Sequence, residues 1–171
     1  MKKITLKTSS VYRYNLYDEI ESFSSYNDFV SELANMTSND SVALYINCPG
    51  GRVDVGLSLI NSIQSSYANI TAVVEGPSYS MASIIALACD KLLMLDNTFL
   101  MYHNYSTVGY GKGGELMNSM KHSDDHFNRL MHKVCSPFLT KAELNKIASD
   151  QDIYIYSDDP TLDKRRDRHF K

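Results

Sequence analysis

Apolar and polar positions along the chain follow two different periods, and the changes between them mark out the elements. Tyr26 to Met36 (YNDFVSELANM) sets Phe29, Val30 and Leu33 on one helical stripe, with Asn, Ser and Asp signals on either side. Val42 to Asn47 (VALYIN) is a compact apolar run entering Pro49-Gly50-Gly51, the pattern of a buried strand ending in a turn. Val53 to Tyr67 returns to helical spacing through Val55, Leu59, Ile60 and Ile63. Ile70 to Glu75 (ITAVVE) reads as a second strand, stopped by Gly76-Pro77. Ser80 to Cys89 (SMASIIALAC) is small and apolar nearly all round, which suits a fully buried helix.

Lys91 to Leu95 and Thr98 to Tyr102 read as short strands around a turn at Asp96-Asn97. Glu115 to Val134 is a long amphipathic helix broken by Ser136-Pro137. Thr140 to Ala148 is a shorter helix whose Thr140 and Glu143 match a capping box. Ile153 to Tyr156 alternates as a strand, and a charged helix follows Pro160. Strands alternating with helices predict one α/β domain over residues 1–171 with a mainly parallel sheet. The first ten residues read as a short strand or a mobile arm.

Composition changes this picture little. The 17 basic and 20 acidic side chains give a net charge of -3, so charge supplies no reason to expect a nucleic acid or membrane partner. Lys164-Arg165-Arg166-Asp167-Arg168 is too short and too mixed for a phosphate-binding run and reads as a solvated helix face or frayed tail. The three cysteines, Cys48, Cys89 and Cys135, form no CxxC pair, and Cys48 and Cys89 are expected to pack as small hydrophobes. No apolar run resembles a signal peptide or membrane span, which makes a reducing cytoplasm the expected compartment.

Candidate chemistry gathers at strand ends. Gly76-Pro77-Ser78-Tyr79-Ser80-Met81-Ala82-Ser83 joins a strand to the buried helix. A serine at a helix start is often only a cap, and Ser78 competes with Ser80 for that task. At the C-terminal edge of a parallel sheet, however, such a hydroxyl meets free N–H groups and the positive end of the helix dipole. Those groups stabilise an oxyanion, and losing one donor typically costs ~10²–10³ in rate. Asn47-Cys48-Pro49-Gly50-Gly51 is a second turn whose glycines let a substrate approach the backbone. His103, after the apolar run 99–102, emerges at a strand end, where a lone histidine is more often structural but where it is also available as a base.

Two further patterns carry less. Gly109-Tyr110-Gly111-Lys112-Gly113-Gly114 satisfies GxGxxG, but a dinucleotide site needs a second strand and an acid roughly 20 residues on. One long helix follows instead, so no cofactor is expected. His122 and His126 have i, i+4 spacing, yet HSDDH lacks the glutamate of HExxH. Beside Lys121, Asp124 and Asp125 they read as a solvated face, and no metal site is expected.

Three segments together resemble the Clp protease proteolytic subunits. INCPGG at Ile46 to Gly51 is similar to that family's INSPGG turn, and GPSYSMAS at Gly76 to Ser83 to its G-x-A-A-S-M-G-A nucleophile segment. DNTFLMYHNY at Asp96 to Tyr105 resembles PNSRVMIHQP, which carries the family's histidine, and weaker similarity runs from about Leu44 to Tyr156. The resemblance implies a Clp/crotonase-like spiral of β-β-α units with a projecting long helix. It implies a serine endopeptidase with Ser80 as nucleophile, His103 as general base and the N–H groups of Gly51 and Met81 as oxyanion hole, with no cofactor. Asp152 aligns with the family's acid; Asp150 is an alternative, since a slip of two residues keeps the same strand face.

The resemblance also implies peptide or unfolded-protein substrates and a homo-oligomer, two stacked heptameric rings enclosing the sites. An unfoldase ATPase is the family's partner, but no docking surface for one is identifiable in this sequence. Tyr79 stands where a small residue is usual, Ala82 where glycine is frequent and Cys48 where serine is usual; the first two are expected to narrow the first substrate pocket. The divergent ending after Tyr156 resembles phage-encoded and other outlying Clp-like peptidases. Two rivals stand beside this reading: a catalytically silent ring subunit, and a crotonase-like acyl-CoA enzyme using the N–H pair without Ser80.

Overall fold

The computed structural model describes residues 10–170. The predicted arm at residues 1–10 lies, but for Ser10, outside them. A six-stranded sheet forms the centre, in the order β1 (Val11–Leu16), β2 (Ser41–Cys48), β3 (Asn69–Tyr79), β5 (Phe99–Tyr102), β6 (Ile153–Tyr156), with β4 (Lys91–Met94) also paired to β3. All pairings are parallel except β5 with β6. The helices are α1 (Asn27–Asn35), α2 (Val53–Ser65), α3 (Met81–Ala88), α4 (Gly113–Cys135), α5 (Lys141–Ala148) and α6 (Leu162–His169). The mainly parallel α/β architecture is thus the one expected.

Two strands differ from expectation. β1 was not marked by the apolar pattern, because Tyr12 and Tyr14 are only half-buried and Val11 lies exposed at its start. β3 does not stop at Gly76-Pro77 but runs on to Tyr79. Its ladder to β2 jumps from Ile46↔Val74 to Cys48↔Ser78, so β3 carries extra residues there. A proline lacks the ladder N–H and is tolerated at such a bulge. β3 also changes its other neighbour along its length, pairing with β4 over Thr71–Val74 and with β5 at Ser78 and Tyr79.

The core lies between this sheet and its helices. Val55, Leu59, Ile60 and Ile63 of α2 are buried, as their spacing requires, and every residue of α3 is buried. In α4 all buried residues lie at Phe127 or beyond, so its first half stands clear of the core as a projection. Among the described residues no helix is long and apolar enough to cross a membrane.

The C-terminal basic run is not the solvated face its composition suggested. Arg165 is buried and forms a two-armed pair with Glu143 at 2.7 and 3.0 Å, and it also donates to the carbonyl of Phe138. Arg168 donates to that same carbonyl at 2.8 Å. The bend after α4 leaves the Phe138 oxygen without a helical acceptor role, and α6 supplies the donors. Glu143 meanwhile completes the capping box with Thr140.

Burial opposes ionisation of Glu143, but the Arg165 guanidinium and the Thr140 N–H and hydroxyl outweigh it and hold its carboxyl down at about 2. A depressed carboxyl stabilises the fold above its unfolded value and loses that contribution as pH falls. Glu143→Gln should therefore lower the unfolding free energy at pH 7 by on the order of 2–3 kcal/mol. Urea unfolding at a series of pH values should show the gap between wild type and variant closing from about pH 5 towards pH 2.

Candidate active site

The end of β3 turns into α3 at Ser80, whose φ of 54° and ψ of -123° lie in a region costly for a residue with a side chain. Although Ser80 holds the N-cap position, its side chain makes no capping hydrogen bond. The capping role expected of most helix-start serines is thus absent, and the hydroxyl is left free. Ser78 does not cap either; its hydroxyl is fully buried and unpartnered among the described residues.

What holds the turn is Ser83, which the sequence reading left unassigned. Its buried hydroxyl donates to the Ser78 carbonyl at 2.8 Å and accepts from the Met101 N–H at 3.2 Å. The Ser80 N–H donates to the Met101 carbonyl at 2.8 Å. The end of β3, the start of α3 and the middle of β5 are therefore tied together one residue pair away from His103.

The second turn closes on the first. Gly50 has φ 91° and Gly51 φ 142°, both in the left-handed half of the map. A Cβ on Gly50 would stand 2.7 Å from the Tyr79 carbonyl oxygen and 2.9 Å from the Ser80 Cβ. One on Gly51 would stand 2.4 Å from the Ile20 carbonyl oxygen. Conformation and space both demand glycine at these positions. Cys48 braces the turn from beneath: its Sγ donates to the Asp18 carbonyl at 3.1 Å and accepts from the Gly50 N–H at 3.4 Å.

A cleft of about 660 Å³ opens over this junction, lined by Gly51, Ser80, Met81, His103, His122 and His126 among others. The serine, the histidine and the two expected N–H donors thus share one cavity. As the first residue of α3, Met81 has an N–H without an intrahelical acceptor. Among the described residues the Gly51 N–H has no backbone acceptor, and no hydrogen bond joins the Ser80 hydroxyl to His103. A free hydroxyl, an imidazole and converging N–H groups are the parts that acyl transfer requires.

The two candidate acids separate. Asp150 ends α5 in the left-handed conformation, φ 60°, and its carboxylate accepts from the Asn104 side-chain amide at 2.9 Å. It belongs to a helix-terminal turn, so the argument from a shared strand face does not apply to it. Asp152 directly precedes β6. The antiparallel register ends with the pair Tyr102 and Ile153, so His103 and Asp152 each lie one residue beyond the same end of the ladder. Asp152 is exposed and does not line the cleft.

One expectation needs correction, and one gains a second aspect. Tyr79 does not narrow the cleft, because its ring packs edge-on against Phe99 at 5.2 Å, away from the cavity wall, and Ala82 is wholly buried in α3. The pair His122 and His126 was read as a solvated face. Both are exposed, but both also line the cleft, with rings stacked at 6.2 Å. The return of α4 over the strand ends is a tertiary fact that helical spacing alone does not contain. Glycines 113 and 114 open α4 in free space, and among the described residues no group of three or more His, Cys, Asp or Glu could hold a metal ion.

Comparison with known proteins gives one consistent answer. A family model described as Clp protease matches residues 6–159. The ATP-dependent Clp protease proteolytic subunit of Streptococcus equi subsp. equi (strain 4047) is 28% identical over 113 residues, 63% of this chain and 57% of that protein. The protein of the same name from Streptococcus suis (strain 98HAH33) is 29% identical over 113 residues, with the same coverage of each chain, and that from Streptococcus pyogenes serotype M1 is 27% identical. The chain thus spans 57% of the length of these curated relatives.

Cys48 is the one thiol bordering the two turns, and burial pushes its pKa up to about 11. At pH 8 only about one thiol in a thousand would then be ionised, too few for a nucleophile. Cys89 and Cys135 are buried as well. The native protein should leave Ellman's reagent unreacted at pH 8 over minutes, and denaturation should release three equivalents.

Proposed function

The chain belongs to the Clp protease family, and we propose that it is a serine peptidase with Ser80 as nucleophile and His103 as general base. The observation that carries the proposal is Ser80 itself. It is a helix-start serine held at positive φ, relieved of capping and facing a cleft it shares with His103. Strain of this kind, roughly 1–3 kcal/mol, persists where the surrounding structure enforces it, and here Ser83, Met101 and Gly50 do so.

In the proposed reaction His103 takes the Ser80 proton as the hydroxyl attacks the substrate carbonyl. The oxyanion is received by the N–H groups of Gly51 and Met81. His103 returns the proton to the leaving amine, and water then releases the acyl group by the same route. Asp152 orients the imidazole and stabilises its charged form. Support for Asp152 over Asp150 comes from its position at the same end of the β5–β6 ladder as His103, while the Asp150 carboxylate is engaged by Asn104. No cofactor takes part.

The relatives are named as subunits of an ATP-dependent protease. By extension, the substrates are peptides or unfolded chains, and the protein works as a homo-oligomeric ring with the free first half of α4 available for contacts. A second reading has an observation of its own. The lack of a Ser80–His103 hydrogen bond among the described residues fits a subunit that is silent until assembled, although such bonds often tighten only with substrate bound.

A fluorophosphonate probe decides between them. The wild-type protein should be labelled, and Ser80→Ala and His103→Ala should abolish labelling. Asp152→Asn should slow it by roughly 10²–10⁴-fold, against a loss of less than about tenfold for Asp150→Asn. Wild-type protein that is folded and oligomeric by light scattering yet unlabelled would establish the silent subunit.

A further inference from the structure

The mechanism leaves one feature of the cleft unused, the histidine pair on α4. We propose that His122 and His126 form a subsite for a carboxylate side chain on the substrate residue whose carbonyl is attacked, so that the cleft favours Asp or Glu there. The inference rests on the reading of Ser80 and His103 given above and adds the substrate class.

Residues four apart on a helix share a face, and here both histidines line the cavity with ring planes 9° apart. Ser123 and the buried Phe127 line the cavity beside them. An imidazole offers an N–H donor in either protonation state, so two on one face match the two oxygens of a carboxylate. An aliphatic side chain would instead strip water from both rings and replace none of the lost hydrogen bonds.

The other charges along the cleft leave this corner to the histidines. Arg52 and Asp54 neutralise one another at 2.6 Å. The Tyr105 hydroxyl is committed to Asp124 at 2.8 Å. Lys121, Asp124 and Asp125 share α4 but do not line the cavity. Glu19 does line it, from the loop whose next residue, Ile20, bridges to Gly51. A substrate carboxylate is repelled from the Gly51 side by Glu19 and drawn to the α4 side.

The test uses Ser80→Ala, which keeps the cleft and cannot form an acyl-enzyme, and two fluorescein-labelled peptides differing only in Glu or Leu at the selected position. Fluorescence anisotropy should show the Glu peptide binding about tenfold or more tightly. Adding His122→Leu and His126→Leu should erase that ratio, and His122→Gln with His126→Gln, which retain a donor, should keep part of it. On protein with Ser80 intact, the kcat/KM ratio of Glu over Leu peptide should fall at least tenfold in the double Leu variant. Equal or tighter binding of the Leu peptide with both histidines present would overturn the subsite. Absence of probe labelling in the wild type would overturn the catalytic reading instead, while anisotropy would still decide the subsite.

Discussion

Two backbone turns meet at the C-terminal edge of the sheet with no room for a side chain between them, and the rest of the site is arranged around that contact. Gly50 lies so close to Tyr79 and Ser80 that a methyl group would collide with both. Since Gly51 is equally pressed against Ile20, the chain before α1 is drawn into the same knot. The interaction is steric, so it fixes position sharply while contributing little attraction of its own. The attraction comes from below, where β2 and β3 are zipped along nearly their whole length.

That division of labour explains why α3 is so apolar. A helix buried on every side gains through transfer of its side chains out of water and has no freedom to tilt. It can hold its first residue in a strained turn because moving that residue would mean unpacking the helix. Ser83 turns this rigidity sideways: one hydroxyl, buried one turn into the helix, binds both the strand that delivers Ser80 and the strand that delivers His103. A polar group at the centre of an apolar helix is costly unless both its capacities are used, and here they are.

Much of this was legible in the sequence, for reasons that differ from element to element. α2 and α3 could be read because their burial is one-sided or total, and periodicity records both. The turn glycines and Ser80 could be read because special backbone geometry selects special residues. β1 escaped because its aromatic side chains are shared between sheet and solvent, and the end of β3 escaped because a bulge hides a proline inside a strand. Arg165 was misread, and the position of the exposed His122 and His126 beside the cleft was not foreseen, for one common reason. Charge and spacing describe a helix face, but only the folded chain decides what that face meets. The places of Asp150, in a helix-terminal turn, and of Asp152, just before β6, likewise depend on element ends that sequence separation alone does not give.

The exchange of neighbours along β3 has a mechanical consequence. β5 and β6 form a four-pair ribbon joined to β3 by only two ladder pairs and the bonds around Ser83. His103 and Asp152 follow the same end of that ribbon, whereas Ser80 follows β3 and meets the ribbon through the Met101 carbonyl. A displacement of the ribbon along its own axis would change the gap between serine and histidine and leave histidine and aspartate in step. The spacing of serine and histidine across the cleft thus depends on one sliding coordinate, resisted by the bonds at Met101. The ribbon's outer edge carries Tyr154 and Tyr156, stacked and exposed, so it slides against solvent on that side and against β3 on the other.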